Sequence, residues 1–271
     1  MNVKREIKLV NKVKRLVRRL GFPRFLNKYG PKKYELYLYL CIFLIRHFCR
    51  LSYRRTVNFL CLLDFKCPSK SSLHYNNKNI PIRLWINALK LTSGSLHHII
   101  AVDSTGLTRV NPSYYYLRRI DGKIPKKYTK VSIAYDTRNK KYCSSKIRLI
   151  PRHDVNDFNY LINNIKCKII VADKGYDSEK IHKYCYTNNI EAHIPMRKYG
   201  KGRHKNLGYR IRASKLFRLR TYGRRNIVES GMHSLKSKYG YTVNSKKAKT
   251  IKADIYGRML CHNLLGTFNM T

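Results

Sequence analysis

Hydrophobic residues along this chain change their spacing near residue 96. Before that point they recur every three or four positions, and after it they alternate or run in blocks. Residues 1–20 predict a basic amphipathic helix in which Val3, Ile7, Val10, Val17 and Leu20 recur at near-helical spacing among eight lysines and arginines. Gly21, Pro23, Gly30 and Pro31 then break the chain. Residues 33–49 predict a buried helix around the run LYLYLCIFLI. Ser52 is placed to cap a helix through Val57, Leu60 and Leu63, and Ser69 to Asn79 and residues 81–93 predict two more. A helix, a short turn and a helix flanked by Arg54, Arg55, Lys66, Lys70 and Lys78 suit a DNA-reading helix-turn-helix, and equally a plain helical hairpin.

From His97 the pattern is that of strands. HHIIAVD at 97–103 is a run of β-formers. Residues 128–136 alternate, with Val131, Ile133 and Tyr135 on one face, and residues 142–150 read as their partner strand. A helix follows at 156–166, an apolar strand at 168–173, a helix capped by Ser178 and running to about Asn188, and a short strand at 191–194. The order β-β-β-α-β-α-β implies a mixed sheet with helices on its faces. Residues 197–220 hold ten Lys or Arg and no acid, lack a period, and read as a loop or flap that tracks phosphates. Residues 251–268 predict a closing helix with Ile255, Met259, Leu260, Leu264 and Leu265 toward the core.

Charge narrows the partner. With 58 Lys and Arg against 14 Asp and Glu, the formal net charge is +44. Such self-repulsion works against compaction unless a polyanion is the usual partner, and nucleic acid is the first candidate. The ten-residue apolar run at 36–45 is too short to span a bilayer, and the first twenty residues are too charged for a signal peptide, so no membrane association is expected. The eight cysteines form no C-x-x-C pair and lack zinc-finger spacing. Reduced, mostly buried thiols are the expectation.

The stretch Tyr222 to Lys236, YGRRNIVESGMHSLK, is helical by pattern. At about 100° per residue, with Arg225 at zero, Lys236 falls near 20°, Glu229 near 40° and Tyr222 near 60°. Val228, Met232, Leu235 and Tyr239 form an apolar stripe beside this polar row. An acid between two cations at the margin of a buried face suits a reaction site, and also a simple Arg225–Glu229 ion pair. Two strands add partners. IIAVD at 99–103 and IIVAD at 169–173 are apolar runs that each end in one aspartate. In α/β sheets of buried strands, ligands bind at the strands' carboxyl ends, so Asp103 and Asp173 would share an area if those strands are neighbours. Each could instead only begin a loop or cap the next turn. If the 222–236 helix packs on the sheet, Glu229 joins them. Three close carboxylates call for cations, magnesium suits hard oxygen donors, and two such ions suit phosphodiester chemistry.

These residues resemble the DDE transposases of prokaryotic insertion sequences. The family signature Tyr-x2-Arg-x3-Glu-x6-Lys is met by Tyr222, Arg225, Glu229 and Lys236, and DSTG at 103–106 and ADKGYDS at 172–178 resemble the two aspartate motifs. His153-Asp154 is a further, weaker feature, and the insertion 108–127 carries no motif of the family. The resemblance implies an α/β fold: a ribonuclease-H-like mixed sheet flanked by helices, at 96–271, with the basic segment 196–221. An all-helical N-terminal region at 1–95 would bind DNA or dimerise. It implies that Asp103, Asp173 and Glu229 are catalytic and bind Mg2+ (or Mn2+), two ions. Arg225 and Lys236 would contact DNA phosphates, and Tyr222 would support DNA near the transposon end. Implied partners are double-stranded DNA, as the element's terminal inverted repeats and target DNA, and a second copy in a homodimer. The implied setting is the prokaryotic cytoplasm and nucleoid. The alternative is a non-catalytic, domesticated DNA-binding or regulatory relative. An RNA-binding structural protein shares only the charge.

Overall fold

The computed structural model describes residues 8–27, 29, 31–109, 119, 128–197 and 208–265. Most of the insertion 108–127, part of the basic segment and the ends of the first and last expected helices lie outside them. The chain divides into two compact units, residues 93–233 and residues 1–92 with 234–271.

The helical unit begins with α1 (Leu9–Arg19), α2 (Leu36–Phe48), α3 (Tyr53–Leu62), α4 (Lys70–Asn79) and α5 (Ile82–Ser93). Ser52 and Ser69 cap α3 and α4 by accepting from the amides of Arg55 and Ser72, as their positions before the helices suggest. In α2, Leu36, Leu40, Ile42, Phe43 and Leu44 are fully buried, so this is the expected core helix. The buried stripe of α1 is Leu9, Val13, Leu16 and Val17, while Val10 is 42% exposed. Of the expected stripe Val17 is buried but Val10 faces out, because Leu9, Val13 and Leu16 fill the core-facing row beside it. The last helix of the unit runs Ala248–Leu265 and is buried almost all round from Thr250 onward. Among the described residues no single helix is long and apolar enough to cross a membrane. All eight cysteines are free thiols: Cys41, Cys143, Cys185 and Cys261 are buried, Cys67 and Cys167 half-buried, and Cys49 and Cys61 exposed.

The other unit is built on a mixed sheet with the strand path β3-β2-β1-β4-β5, where β1 is Leu96–Arg109, β2 Tyr128–Asp136, β3 Lys141–Arg148, β4 Lys166–Ala172 and β5 Glu191–His193. β1, β2 and β3 pair antiparallel, and β1–β4 and β4–β5 pair parallel. Two crossover helices, α6 (Val155–Ile162) and α7 (Glu179–Thr187), join the parallel strands. They cover one face, where Phe158, Leu161, Ile162 and Ile181 pack with Ile100, Val102 and Ile170. A side chain buried this fully contributes about 1.5–3 kcal/mol. β2 is buried on both faces, so its alternation does not mark a solvated side. Its inward Ser132 hydroxyl donates to buried Asp157 at 2.8 Å, and Asp157 also accepts from Arg148.

Two expectations need correction here. β1 does not stop at Asp103: parallel pairing to β4 ends at Val102↔Ala172, but antiparallel pairing to β2 carries the strand on to Arg109. The basic segment is not a loop throughout, because residues Gly208–Leu216 form helix α8 and Leu219–Tyr222 the short helix α9. Their apolar residues have no clear period. What holds α8 is charge: the Glu179 carboxylate accepts from the backbone amides of Tyr209 and Arg210 at its first turn, at 2.9 and 3.1 Å.

Candidate active site

Three elements meet at the carboxyl end of β4. Because Val102 pairs with Ala172 in the parallel ladder, the next residues, Asp103 and Asp173, are neighbours across adjacent strands. Parallel strands lie about 4.8 Å apart. Each aspartate is held alike: Asp103 Oδ1 accepts from the Ser104 amide and Asp173 Oδ1 from the Lys174 amide, both at 2.7 Å. Asp173 does cap the 3-10 turn Lys174–Tyr176, so the capping role foreseen for it is real, and it is combined with a place beside Asp103.

The third element is the helix α10, Asn226–Tyr239, entered through α9 and a 3-10 turn at Gly223–Arg225. Its Val228 is fully buried and Glu229 is exposed, matching the expected apolar stripe and polar row. A glycine is required at 231: a Cβ there would stand 2.9 Å from Tyr135 Cζ. The Gly231 carbonyl accepts from the Tyr142 hydroxyl at 2.7 Å, and the Tyr135 and Tyr142 rings pack edge to face. This close approach to β2 and β3 sets where Glu229 stands.

Arg225 joins the parts. Its guanidinium pairs with Glu229 one turn on and reaches Asp103 Oδ2 at 4.0 Å. The intrahelical pair therefore exists, but it is shared with the sheet. The Arg225 Nε is buried without a hydrogen-bond partner. Tyr222 is half-buried, stacks near Phe217 at 5.5 Å, and is close enough to Asp173, Asp103 and Glu229 to feel their charge. Lys236 is half-buried about two turns beyond Glu229, past the point where α10 passes into the helical unit.

The electrostatics are uneven. Burial pushes the Asp103 carboxyl above its ordinary range, and Asp173 and Glu229 push the same way, while the Ser104 amide and Arg225 only partly oppose them. Among the described residues Asp103 thus has one distant guanidinium, Arg225 at 4.0 Å, to offset burial and its acidic neighbours. Its neighbour Asp177 is the reverse. Burial raises it, but His182, Arg210 and the Arg197 amide bring it down to about 2. Asp177 and Glu179 together fasten α8, the basic helix, to the loop that carries Asp173.

The donor set suits a divalent cation in kind. Asp103, Asp173 and Glu229 offer only hard carboxylate oxygens, and a cation there would relieve the burdened Asp103. Among the described residues no three His, Cys, Asp or Glu side chains are gathered tightly enough to hold an ion as they stand. Residues to which the sequence gave no role also line this place: Ser104, Lys130 and Asp154, the last noted only as part of the weaker His153-Asp154 feature. Ser104 sits within the DSTG motif, but Lys130 gave no signal of its own.

No curated protein matches the chain. Among solved structures, it resembles the cryo-EM structure of the piggyBac transposase synaptic complex with hairpin DNA, with a TM-score of 0.44 and 11% sequence identity over 95% of this chain and 72% of that one. The family model for the transposase DDE domain matches residues 94–264, well over half of the 271 residues and all of the sheet described above. The chain therefore belongs to the transposase DDE domain family.

Proposed function

We propose that this protein is a DNA transposase of the prokaryotic insertion-sequence type whose site is Asp103, Asp173 and Glu229. The observation that carries the reading is the Val102↔Ala172 register, which sets two aspartates side by side, with Arg225 linking Glu229 to Asp103. The three carboxylates would hold Mg2+ or Mn2+, two ions. When bound, such ions polarise the scissile phosphate and make water a competent nucleophile near neutral pH. The chain's own residues orient and neutralise. The Ser104 and Lys174 amides each occupy one oxygen of an aspartate and leave the other to face a cation. Arg225, exchanging Glu229 for a phosphate, would hold the DNA strand beside the acids, with Tyr222 supporting DNA near the element end and Lys236 on a further phosphate. The product 3′ hydroxyl would then be joined to target DNA.

In this reading the sheet is ribonuclease-H-like and residues 96–271 are the catalytic domain. Residues 1–95 bind the element's terminal inverted repeats and support a homodimer. The protein works on the nucleoid in the cytoplasm. The formal charge of +44 supports the choice of a polyanionic partner.

The test is strand cleavage on DNA bearing the element's ends, with Mg2+, by Asp103→Asn, Asp173→Asn and Glu229→Gln. Each is expected to lose cleavage by about a thousandfold or more while still binding DNA, the scale of removing one electrostatic catalyst. Near-wild-type cutting by these folded variants would end the proposal. A wild-type protein that binds the ends and never cuts would point to the non-catalytic alternative.

A further inference from the structure

Asp154 occupies the residue before α6, where an aspartate ordinarily accepts from the helix's own amides. Here it makes no capping hydrogen bond, and its backbone is already helical at φ −59° and ψ −38°. Its carboxylate is turned to the site instead. Asp154 Oδ1 accepts from the Ser104 hydroxyl at 2.8 Å and pairs with Lys130 Nζ at 2.5 Å. Lys130 lies on β2 and is 8% exposed, and its ammonium also donates to the Arg152 carbonyl, so both ends of the pair are fixed. Ser104 is the residue whose amide holds Asp103. A chain of contacts thus runs from Lys130 through Asp154 and Ser104 to Asp103.

The second oxygen of Asp154 faces the turn after Asp173. Asp154 Oδ2 and Asp173 Oδ2 lie 3.5 and 3.9 Å from the point where a Gly175 Cβ would stand, and the Arg197 guanidinium 3.8 Å from it. The Tyr176 side chain is 1% exposed, and its hydroxyl has no hydrogen-bond partner among the described residues. Burial first, and then Asp154, Asp103, Asp157 and Asp173, hold that phenol neutral, well above its ordinary range. A buried donor among four acids, and an aspartate that leaves its helix uncapped, are costs that local stability does not explain.

We propose that Asp154 is a positioning residue of this site: through Ser104 it fixes the Asp103 carboxylate for a divalent cation, with Lys130 as its counter-charge. The inference rests on the reading of Asp103, Asp173 and Glu229 as cation ligands. A residue that orients a ligand is worth about 10–100-fold in metal affinity.

The experiment measures Mn2+ binding to the full chain by electron paramagnetic resonance, beside a thermal melt of each variant. Ser104→Ala and Asp154→Ala should each weaken Mn2+ binding by about tenfold or more. The double variant should be little worse than either alone, because both cut one chain of contacts. Ser104→Thr, which keeps the hydroxyl, should bind Mn2+ like the wild type. If Ser104→Ala and Asp154→Ala stay folded and bind Mn2+ as the wild type does, the positioning role is wrong, even if their melting temperatures fall. Asp103→Asn and Asp173→Asn are the reference. If they too bind Mn2+ normally, the reading of the site fails, and the inference with it. If they lose Mn2+ while the Ser104 and Asp154 variants keep it, the inference alone fails.

Discussion

Asp254 in the helical unit and Asp103 in the sheet unit both face arginine from positions shielded from water, and they end with opposite electrostatics. Asp254 is 3% exposed and fully served. Arg46 reaches it at 3.3 Å, His47 at 3.5 Å and Arg258 at 2.9 Å. Arg258 also donates to the carbonyls of Gly240 and Thr242, each at 2.8 Å, and Arg46 lies 4.3 Å over the Tyr53 ring. Burial raises the Asp254 carboxyl, but the guanidiniums of Arg258 and Arg46 bring it below its ordinary value. Burial also drives His47 down to about 3, so it stays neutral and two arginines face one carboxylate. Among the described residues Asp103 has a single guanidinium within reach, Arg225 at 4.0 Å, two acids beside it, and a carboxyl held above the ordinary range. One acid is built to stay ionised for the fold's sake. The other, among the described residues, has little positive charge near it, which suits a place that receives a cation from outside.

That contrast can be broken by mutation. The largest effect on folding is expected from Asp254→Ala, which leaves Arg46 and Arg258 buried without their carboxylate. A loss of about 3–5 kcal/mol is the scale for breaking such a network from one side. Chemical denaturation measures it, and a loss below about 1 kcal/mol would show the network to be ornamental. Gly231→Ala should cost about 1–3 kcal/mol, because the new methyl meets Tyr135 and α10 must shift. As Glu229 rides on that helix, cleavage should fall too, in the same preparation. Asp103→Asn should act in the opposite sense and raise the melting temperature at neutral pH, since it removes an anion the fold disfavours.

The pH dependence sharpens the same point. For Asp254 the folded pKa is lowered, so its stabilisation is present above the ordinary carboxylate range and is lost as pH falls through the lowered value. For Asp103 the folded pKa is raised, so its contribution is present below the ordinary range and is lost as pH rises through the raised value. Melting profiles from acid to neutral pH should therefore flatten on the acid side in Asp254→Asn and on the side toward neutrality in Asp103→Asn. The smallest expected change is in DNA binding by Arg212→Ala. This exposed cation on α8 should reduce the slope of log affinity against log salt by about one ion. An unchanged slope would take α8 out of the DNA-contacting surface.

How much of the molecule is legible in the sequence depends on whether the cause is local. IIAVD and IIVAD could be read because apolar runs closed by one acid are local patterns, and the pairing β1–β4 made them neighbours. The polar row that runs from Tyr222 and Arg225 into α10 is legible for the same reason. The extension of β1 past Asp103 was not, because a partner strand beyond the insertion sustains it. Helix α8 was hidden too: what holds its first turn is Glu179, some thirty residues earlier. Asp154 is legible only as part of the weaker His153-Asp154 feature, with no role attached, because its contacts with Ser104 and Lys130 come from distant strands. Asp254 and Arg258 break the apolar pattern of the closing helix, so periodicity alone assigned them no place in the core where they lie buried.

Under the proposed function, Asp103 is kept at a cost to the fold for the reaction it serves. This is tested most directly by a thermal melt and a Mg2+-dependent strand-cleavage assay on one preparation of Asp103→Asn. The variant should melt higher than the wild type at neutral pH and should not cut. A variant that melts lower, or that still cuts, would contradict it.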